Sequence, residues 1–292
     1  KVLGAFAAAA AVAWTPPTQR RRTPRMMNDL EDYVAPPWAS RFAPPKRLRL
    51  GHLPTPVHEW RNLRDDDKVA IFVKRDDYSG SELSGNKVRK LEFLLADALA
   101  EGRKAVVTVG GVQSNHCRAT AVAARRLGLE PHLILRGTDD PSLRGNLMLD
   151  RLLGANVRFV SDEEFAAKGG QTLVDEVVAE LGEDTAYGFP SGGSNALGTF
   201  GYLEAVREML AADDLNSYDR VYFACGSGGT AAGLAIGFFL AGASPKLVGP
   251  CVDDDPDFFY AKIARVYDQL GVFRDDQPRV VVADLLRLEQ AI

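Results

Sequence analysis

Lys87 stands where the chain turns into a helix, in the run LSGNKVRKLEFLLADAL (residues 83–99). The amino end of a helix carries a partial positive charge and favours an anion. A lysine there is either a solvated surface charge or an amine wanted for its chemistry. Lys74 and Lys90 lie nearby, and spacing alone does not choose among the three. A second candidate is VYFACGSGGTAAGLAIG (221–237), which reads as strand, glycine-rich turn and helix. Gly226, Gly228 and Gly229 let the backbone approach a ligand. The first N–H groups of the helix then form an anion cup, to which Ser227 and Thr230 add hydroxyl donors. The blander reading is a tight turn with no ligand. The third is the loop VGGVQSNH (109–116), where Gln113, Ser114 and Asn115 follow a strand. Ser114 suits an N-cap equally well, and Asn115 suits a turn. His116 and Cys117 read as helix-face packing, and Cys225 as packing at a strand end.

The glycine turn has two phosphate readings. Gly226-x-Gly228-x-x-Ala231, with Asp253 at the end of the next strand, matches a dinucleotide fingerprint. That fingerprint usually opens a domain, whereas here it comes late. No Gly-Lys-Ser/Thr follows, so it is not a Walker loop. The other reading is a single phosphate monoester. A primary amine, a phosphate cup and a polar Ser-Asn loop together suit pyridoxal 5′-phosphate. Its aldehyde needs a lysine, its phosphate needs backbone donors, and its ring is an electron sink. A small amino acid would then be the substrate.

These loops must be positioned by the elements around them. Strands are expected at 69–77, 105–111, 132–137, 156–160, 186–190, 220–226 and 246–252. Helices are expected at 86–102, 114–128, 142–154, 171–182, 196–212, 229–242 and 256–271. Gly145 interrupts the third of these helices. Strand–helix alternation at this spacing predicts an α/β fold with parallel sheets covered by helices. Ligands in such folds sit beyond the carboxyl ends of the strands, where all three candidate loops fall. The acidic runs DDLNSYDR (213–220) and DDDPDFF (253–259) read as solvated charge.

Of the 292 residues, 46% are hydrophobic and 25% charged, as in an ordinary globular protein. A net charge of -4 gives no sign of a nucleic-acid binder. Three scattered cysteines do not make a disulfide framework, and four histidines without paired spacing give little support to a metal site. Residues 1–45 differ from the rest. An Ala-rich apolar run too short to span a membrane is followed by Arg20, Arg21, Arg22 and Arg25, with no acid before Asp29. This suits a transit segment for a mitochondrion or chloroplast, or else a disordered leader. Both readings leave residues 1–45 outside the fold.

Four segments in series, LSGNKVRKLEFLLADAL, VTVGGVQSNHCRATAVAARRLGL, GGSNALGTFGY and CGSGGTAAGLAIG, closely resemble the D-cysteine desulfhydrase and 1-aminocyclopropane-1-carboxylate (ACC) deaminase family. The likeness runs in order over roughly residues 50 to 270. It implies a two-domain fold of the tryptophan synthase β-like type, with pyridoxal 5′-phosphate in the cleft and a homodimer as the assembly. It also implies residue roles. Lys87 carries the cofactor, Asn115 bonds its phenolic oxygen, and Ser114 faces the substrate within the loop that holds Gln113. Gly226, Ser227, Gly228, Gly229 and Thr230 hold the phosphate. The larger domain would comprise 46–96 and 191–292, and the smaller one 97–190. The implied reaction is β-elimination from D-cysteine to pyruvate, hydrogen sulfide and ammonia, with ring opening of ACC as the alternative. The SNHCRAT and GGSNALG segments favour the first. The likeness fades near residue 275, and VVVADLLRLEQAI offers no counterpart to the family's later substrate-facing tyrosines or its pyridine-side Thr/Ser stretch. A fragment of a longer protein is therefore expected. A dinucleotide-binding protein and a non-catalytic truncated paralogue are the readings of another class.

Overall fold

A computed structural model describes residues 29–61, 69–80, 82–83, 85–142, 144–212, 215–272 and 285–290. The Ala-rich run and the arginines at 20–25 lie outside these residues. Two short antiparallel strands, β1 (Glu31–Asp32) and β2 (Lys46–Arg47), open the described chain. Between them a 3-10 turn (Pro37–Phe42) buries Ala39 completely, and Trp38 and Phe42 pack on the same cluster. Tyr33 donates to Glu204 at 2.6 Å. The expectation that residues 1–45 stay outside the fold is therefore corrected for 29–45. The physical reason is the apolar side chains of DYVAPPWASRF, which gain by leaving water.

A hairpin follows, β3 (Val57–Glu59) paired with β4 (Phe72–Lys74). The strand expected over 69–77 is shorter because Asp76–Ser79 turns into 3-10 helix. That turn carries the Asp76 carboxylate to the Arg89 guanidinium, at 2.7 Å. Next comes α1 (Lys87–Ala100), the helix that Lys87 begins. Ten of its side chains are buried, on every face.

From there strand and helix alternate: β5 (Ala105–Gly111), α2 (Asn115–Arg126), β6 (Glu130–Arg136), α3 (Gly145–Leu152), β7 (Asn156–Val160), α4 (Asp162–Lys168), α5 (Gly170–Leu181) and β8 (Ala186–Gly188). Their strands make one parallel sheet in the order β7-β6-β5-β8. The buried run from Ala105 to Val109 is what a strand covered on both faces requires. The chain then continues through α6 (Ala196–Ala212), β9 (Arg220–Tyr222), α7 (Gly229–Ala241), β10 (Lys246–Cys251), α8 (Pro256–Leu270) and β11 (Leu286–Gln290). These strands form a second parallel sheet, β11-β10-β9. The strand expected over 220–226 stops at Tyr222, and Cys225 rejoins the sheet through one bridge to Cys251. None of the described helices is long and apolar enough to cross a membrane.

Two large apolar clusters meet at α1. Phe93 joins the cluster of α6, α7, α8 and the second sheet, through Phe200, Leu203, Ile236 and Ile263. Leu91, Leu94 and Leu95 join the cluster built with Ala119, Val122 and Ala123 of α2. The helix that begins at Lys87 is thus held between the two clusters, packed on α6 on one side and α2 on the other, and its position is fixed by both.

Charged groups add to this clamp. Arg47 bridges Glu92 of α1 (2.6 Å) and Glu204 of α6 (2.5 Å). Glu92 also accepts the backbone N–H groups of Leu50 and Gly51, at 2.9 and 3.0 Å. The packing of α6 on α1 is tight enough to demand glycine. A Cβ on Gly201 would lie 2.4 Å from the Arg89 carbonyl oxygen and 2.8 Å from the Lys90 nitrogen. These are backbone atoms and cannot swing aside. Gly201→Ala is expected to destabilise the protein by roughly 1–3 kcal/mol, as overpacking does. Urea unfolding would measure this, and an unchanged midpoint would contradict the close contact.

Candidate active site

Lys87 is half-buried at the first position of α1, and its amine makes no hydrogen bond or ion pair among the described residues. Burial lowers its pKa; the Cys117 thiol opposes the shift, and the Lys262 ammonium adds to it. The two competing lysines are differently placed. Lys74 donates to the Thr55 carbonyl (2.6 Å) and to Glu208 (2.7 Å). Lys90 is fully buried and donates to the Gly192 carbonyl (3.0 Å) and to Ser194 Oγ (3.2 Å). Of the three, Lys87 has the free amine.

The glycine turn lies beside this amine. Asn86, immediately before Lys87, donates to Thr230 Oγ1 at 3.4 Å. Gly228 is the N-cap of α7, at φ +79°, a left-handed conformation that glycine takes without a Cβ penalty. A Cβ on Gly229 would fall 2.5 Å from Ser194 Oγ and 2.7 Å from Lys90 Nζ. The first turn of α7 is therefore backed by an amine and a hydroxyl. Ser227 Oγ meets Ser194 Oγ at 2.8 Å, tying this turn to the SGGSN loop.

The Ser-Asn loop closes the third side. Ser114 caps α2, its Oγ accepting from the Cys117 N–H at 3.2 Å, so the capping role holds and the hydroxyl proton stays available. Asn115 is exposed, and its Oδ1 accepts from Asn146 Nδ2 at 2.9 Å. Both ends of the Gln113 amide are engaged: Oε1 accepts from Asn146 N (2.8 Å) and Nε2 donates to the Arg144 carbonyl (3.2 Å). Gln113 braces the start of α3. Gly145, whose presence weakens the helix expectation, makes that brace possible, because a Cβ there would lie 2.3 Å from Gln113 Oε1.

His116 packs in the core as expected. Thr108 Oγ1 gives its proton to the Phe189 carbonyl (3.0 Å) and so accepts from Nε2–H of His116 (3.0 Å). Burial, with Lys87 and Lys90 close by, drives the imidazole pKa well down, and the ring is neutral.

On α3 itself, Asp150 is fully buried, with no hydrogen bond to either carboxylate oxygen among the described residues. Burial raises its pKa to about 7, against the pull of Arg118. An acid raised above its unfolded value of about 3.9 favours the fold most when protonated. Its contribution is full below about pH 4 and is lost as pH rises to about 7. Asp150→Asn is therefore expected to raise the unfolding midpoint at pH 8 while barely moving it at pH 4. Equal shifts at the two pH values would contradict the buried, unpaired carboxyl.

Lys87, Lys90 and Lys262 act on one another electrostatically around the glycine turn, and none makes an ion pair among the described residues. Burial lowers the pKa of all three, that of Lys90 most, and a bound phosphate dianion would favour their protonated forms. Converging amines beside backbone donors are thus the complement of a phosphate dianion. The residues present thus fit pyridoxal 5′-phosphate at both ends, with the Lys87 amine for its aldehyde and the 226–230 turn for its phosphate. Lys90 and Ser194 are missing from the sequence reading as phosphate-side groups. The signal was there: residues three apart on a helix share a face, so Lys90 had to lie near Lys87.

Two parallel sheets holding a free amine against an anion cradle make the layout of an enzyme with a phosphorylated aldehyde cofactor. The chain belongs to the pyridoxal-phosphate dependent enzyme family, whose sequence profile matches residues 48–275. It is 45% identical over 252 residues to the bifunctional D-cysteine desulfhydrase/1-aminocyclopropane-1-carboxylate deaminase, mitochondrial, of Arabidopsis thaliana, covering 82% of this chain and 63% of that one. It is 38% identical over 214 residues to a D-cysteine desulfhydrase of Klebsiella pneumoniae, covering 70% and 64%. The crystal structure of an ACC deaminase homologue matches with a TM-score of 0.67 at 34% identity, over 80% of this chain and 70% of that one. The chain therefore spans less than two thirds of the length of these two curated relatives. Family membership sets aside the dinucleotide reading of Gly226, Gly228 and Asp253.

Proposed function

We propose that this chain is that of a pyridoxal-phosphate dependent lyase that eliminates the thiol of D-cysteine, with water giving pyruvate, hydrogen sulfide and ammonia. The observation that carries the proposal is the partnerless Lys87 amine beside an anion cradle. Pyridoxal 5′-phosphate, when bound, supplies an electron sink that weakens the bonds at the α-carbon of an amino acid. Lys87 holds its aldehyde end. Gly226, Ser227, Gly228, Gly229 and Thr230 hold the phosphate, with Lys90 behind them. Burial lowers the Lys87 pKa and so favours the neutral amine, the form in which Nζ can take a proton from the substrate α-carbon. Ser114 has a hydroxyl proton to offer the substrate carboxylate, and Asn115 an amide for the phenolic oxygen. Gln113 contributes by fixing the loop that presents them.

The relatives' names support both D-cysteine and ACC, whose ring would open to 2-oxobutanoate and ammonia; the SNHCRAT and GGSNALG segments put D-cysteine first. The substrate would sit in the cleft between a segment pair 46–96 plus 191–292 and a smaller unit, 97–190. A homodimer and a mitochondrial address accord with the family likeness and with the name of the Arabidopsis relative. The assay is direct: purified protein given D-cysteine should release sulfide and pyruvate in equal amounts. ACC turnover without sulfide release from D-cysteine would overturn the first choice of substrate.

A further inference from the structure

The helix after the second sheet brings one more amine to the glycine turn. On α8, Phe259, Lys262 and Ile263 lie against Gly228. A Cβ built there would be 3.6 Å from Lys262 Cδ, 3.6 Å from Phe259 Cδ1 and 3.9 Å from Ile263 Cγ1. Lys262 Nζ is two bonds beyond that Cδ. It makes no hydrogen bond or ion pair among the described residues, and its one ring approach is Phe258, at 5.9 Å. The amine is partly buried, with its stem packed and its charge held in the field of Lys87, Lys90 and Cys225. Asp253 and Asp254, on the loop before α8, pull against the burial of this charge without pairing with it.

A lysine that only solubilised the surface would extend into water. The stem of this one packs on Gly228, while Lys90 Nζ lies on the Gly229 side. Lysines from two different helices therefore flank the same glycine turn. Amines brought together in partial burial lower one another's pKa, and an anion that joins them relieves both the burial and the repulsion. We infer that Lys262 is a phosphate-anchoring residue, its ammonium bonding an oxygen of the phosphate monoester held by residues 226–230. The inference rests on the proposed cofactor reading of that turn. It adds a contact from a helix outside the four segments that carry the family likeness.

The test compares wild type, Lys262→Ala and Lys262→Arg in titrations with pyridoxal 5′-phosphate and with pyridoxal, which lacks the phosphate, followed by absorbance. A charge-assisted hydrogen bond to phosphate corresponds to roughly a 10- to 100-fold change in affinity. Lys262→Ala should lose about that much for pyridoxal 5′-phosphate and keep its affinity for pyridoxal. Lys262→Arg should stay near wild type for both. Added salt should weaken the phosphorylated vitamer more steeply in wild type than in Lys262→Ala. Unchanged affinity for pyridoxal 5′-phosphate in Lys262→Ala, or an equal loss for both vitamers, would overturn the role of Lys262. Failure of the wild type itself to bind pyridoxal 5′-phosphate would instead overturn the reading of the turn.

Discussion

Lys87→Ala is expected to lower sulfide release from D-cysteine by roughly 10³-fold or more, because in the proposed function one side chain serves both as the attachment point and as the proton-moving base. The expectation is specific to this lysine. Lys74 is tied to Glu208 and Thr55, and Lys90 to the Gly192 carbonyl and Ser194. Neither can leave its partners without stranding a buried polar group. Lys87 has no such tie among the described residues, and the chain before it, at Asn86, already reaches Thr230 of the cup. Lys87→Ala should keep its fold, since the half-buried amine it removes makes no contact that the packing of α1 requires. Turnover by Lys87→Ala within tenfold of wild type would contradict this assignment.

The second large effect concerns stability. Arg89 is buried to 1% exposure on α1. It bonds Asp76 at 2.7 Å, Glu208 at 2.9 Å and Thr55 Oγ1 at 3.0 Å, joining the hairpin turn, α1 and α6. Removing one member of a buried ion-pair network leaves the others uncompensated, which costs about 3–5 kcal/mol. Arg89→Ala is expected to lose that much in urea unfolding. Lys74 still covers one Glu208 oxygen, at 2.7 Å, so the stranded charge is chiefly Asp76. Pairing Arg89→Ala with Asp76→Asn should therefore recover part of the loss. A single-variant cost below about 1 kcal/mol would show that the network is solvated rather than buried.

The architecture was readable because the signals were local and repeated. Apolar runs such as AVVTV and helical spacing such as Val88, Leu91 and Leu95 recur in alternation, and they yield the two parallel sheets. What escaped was set by tertiary contact. The strand Leu286–Gln290 is made by pairing with β10, and nothing in its composition marks it apart from a helix end. The helix Asp162–Lys168 is legible in its own residues: Ser161 caps it, and Asp162, Glu163 and Glu164 fill its first turn. At the site, the glycine turn and the Ser-Asn loop announced themselves through residue type. Lys90, Ser194 and Gly201 did not, because their meaning lies in what faces them across the chain. The order of preference among Lys74, Lys87 and Lys90 likewise could not come from spacing. It depends on which amine finds a partner, and only the folded arrangement decides that.

The most direct test of the central claim is chemical capture at one nitrogen. Purified protein incubated with pyridoxal 5′-phosphate, reduced with borohydride and digested should yield a single labelled peptide, with the label on Lys87. A label on Lys74 or Lys90, or a protein that takes up no vitamer and leaves the Lys87 amine unmodified, would contradict the account.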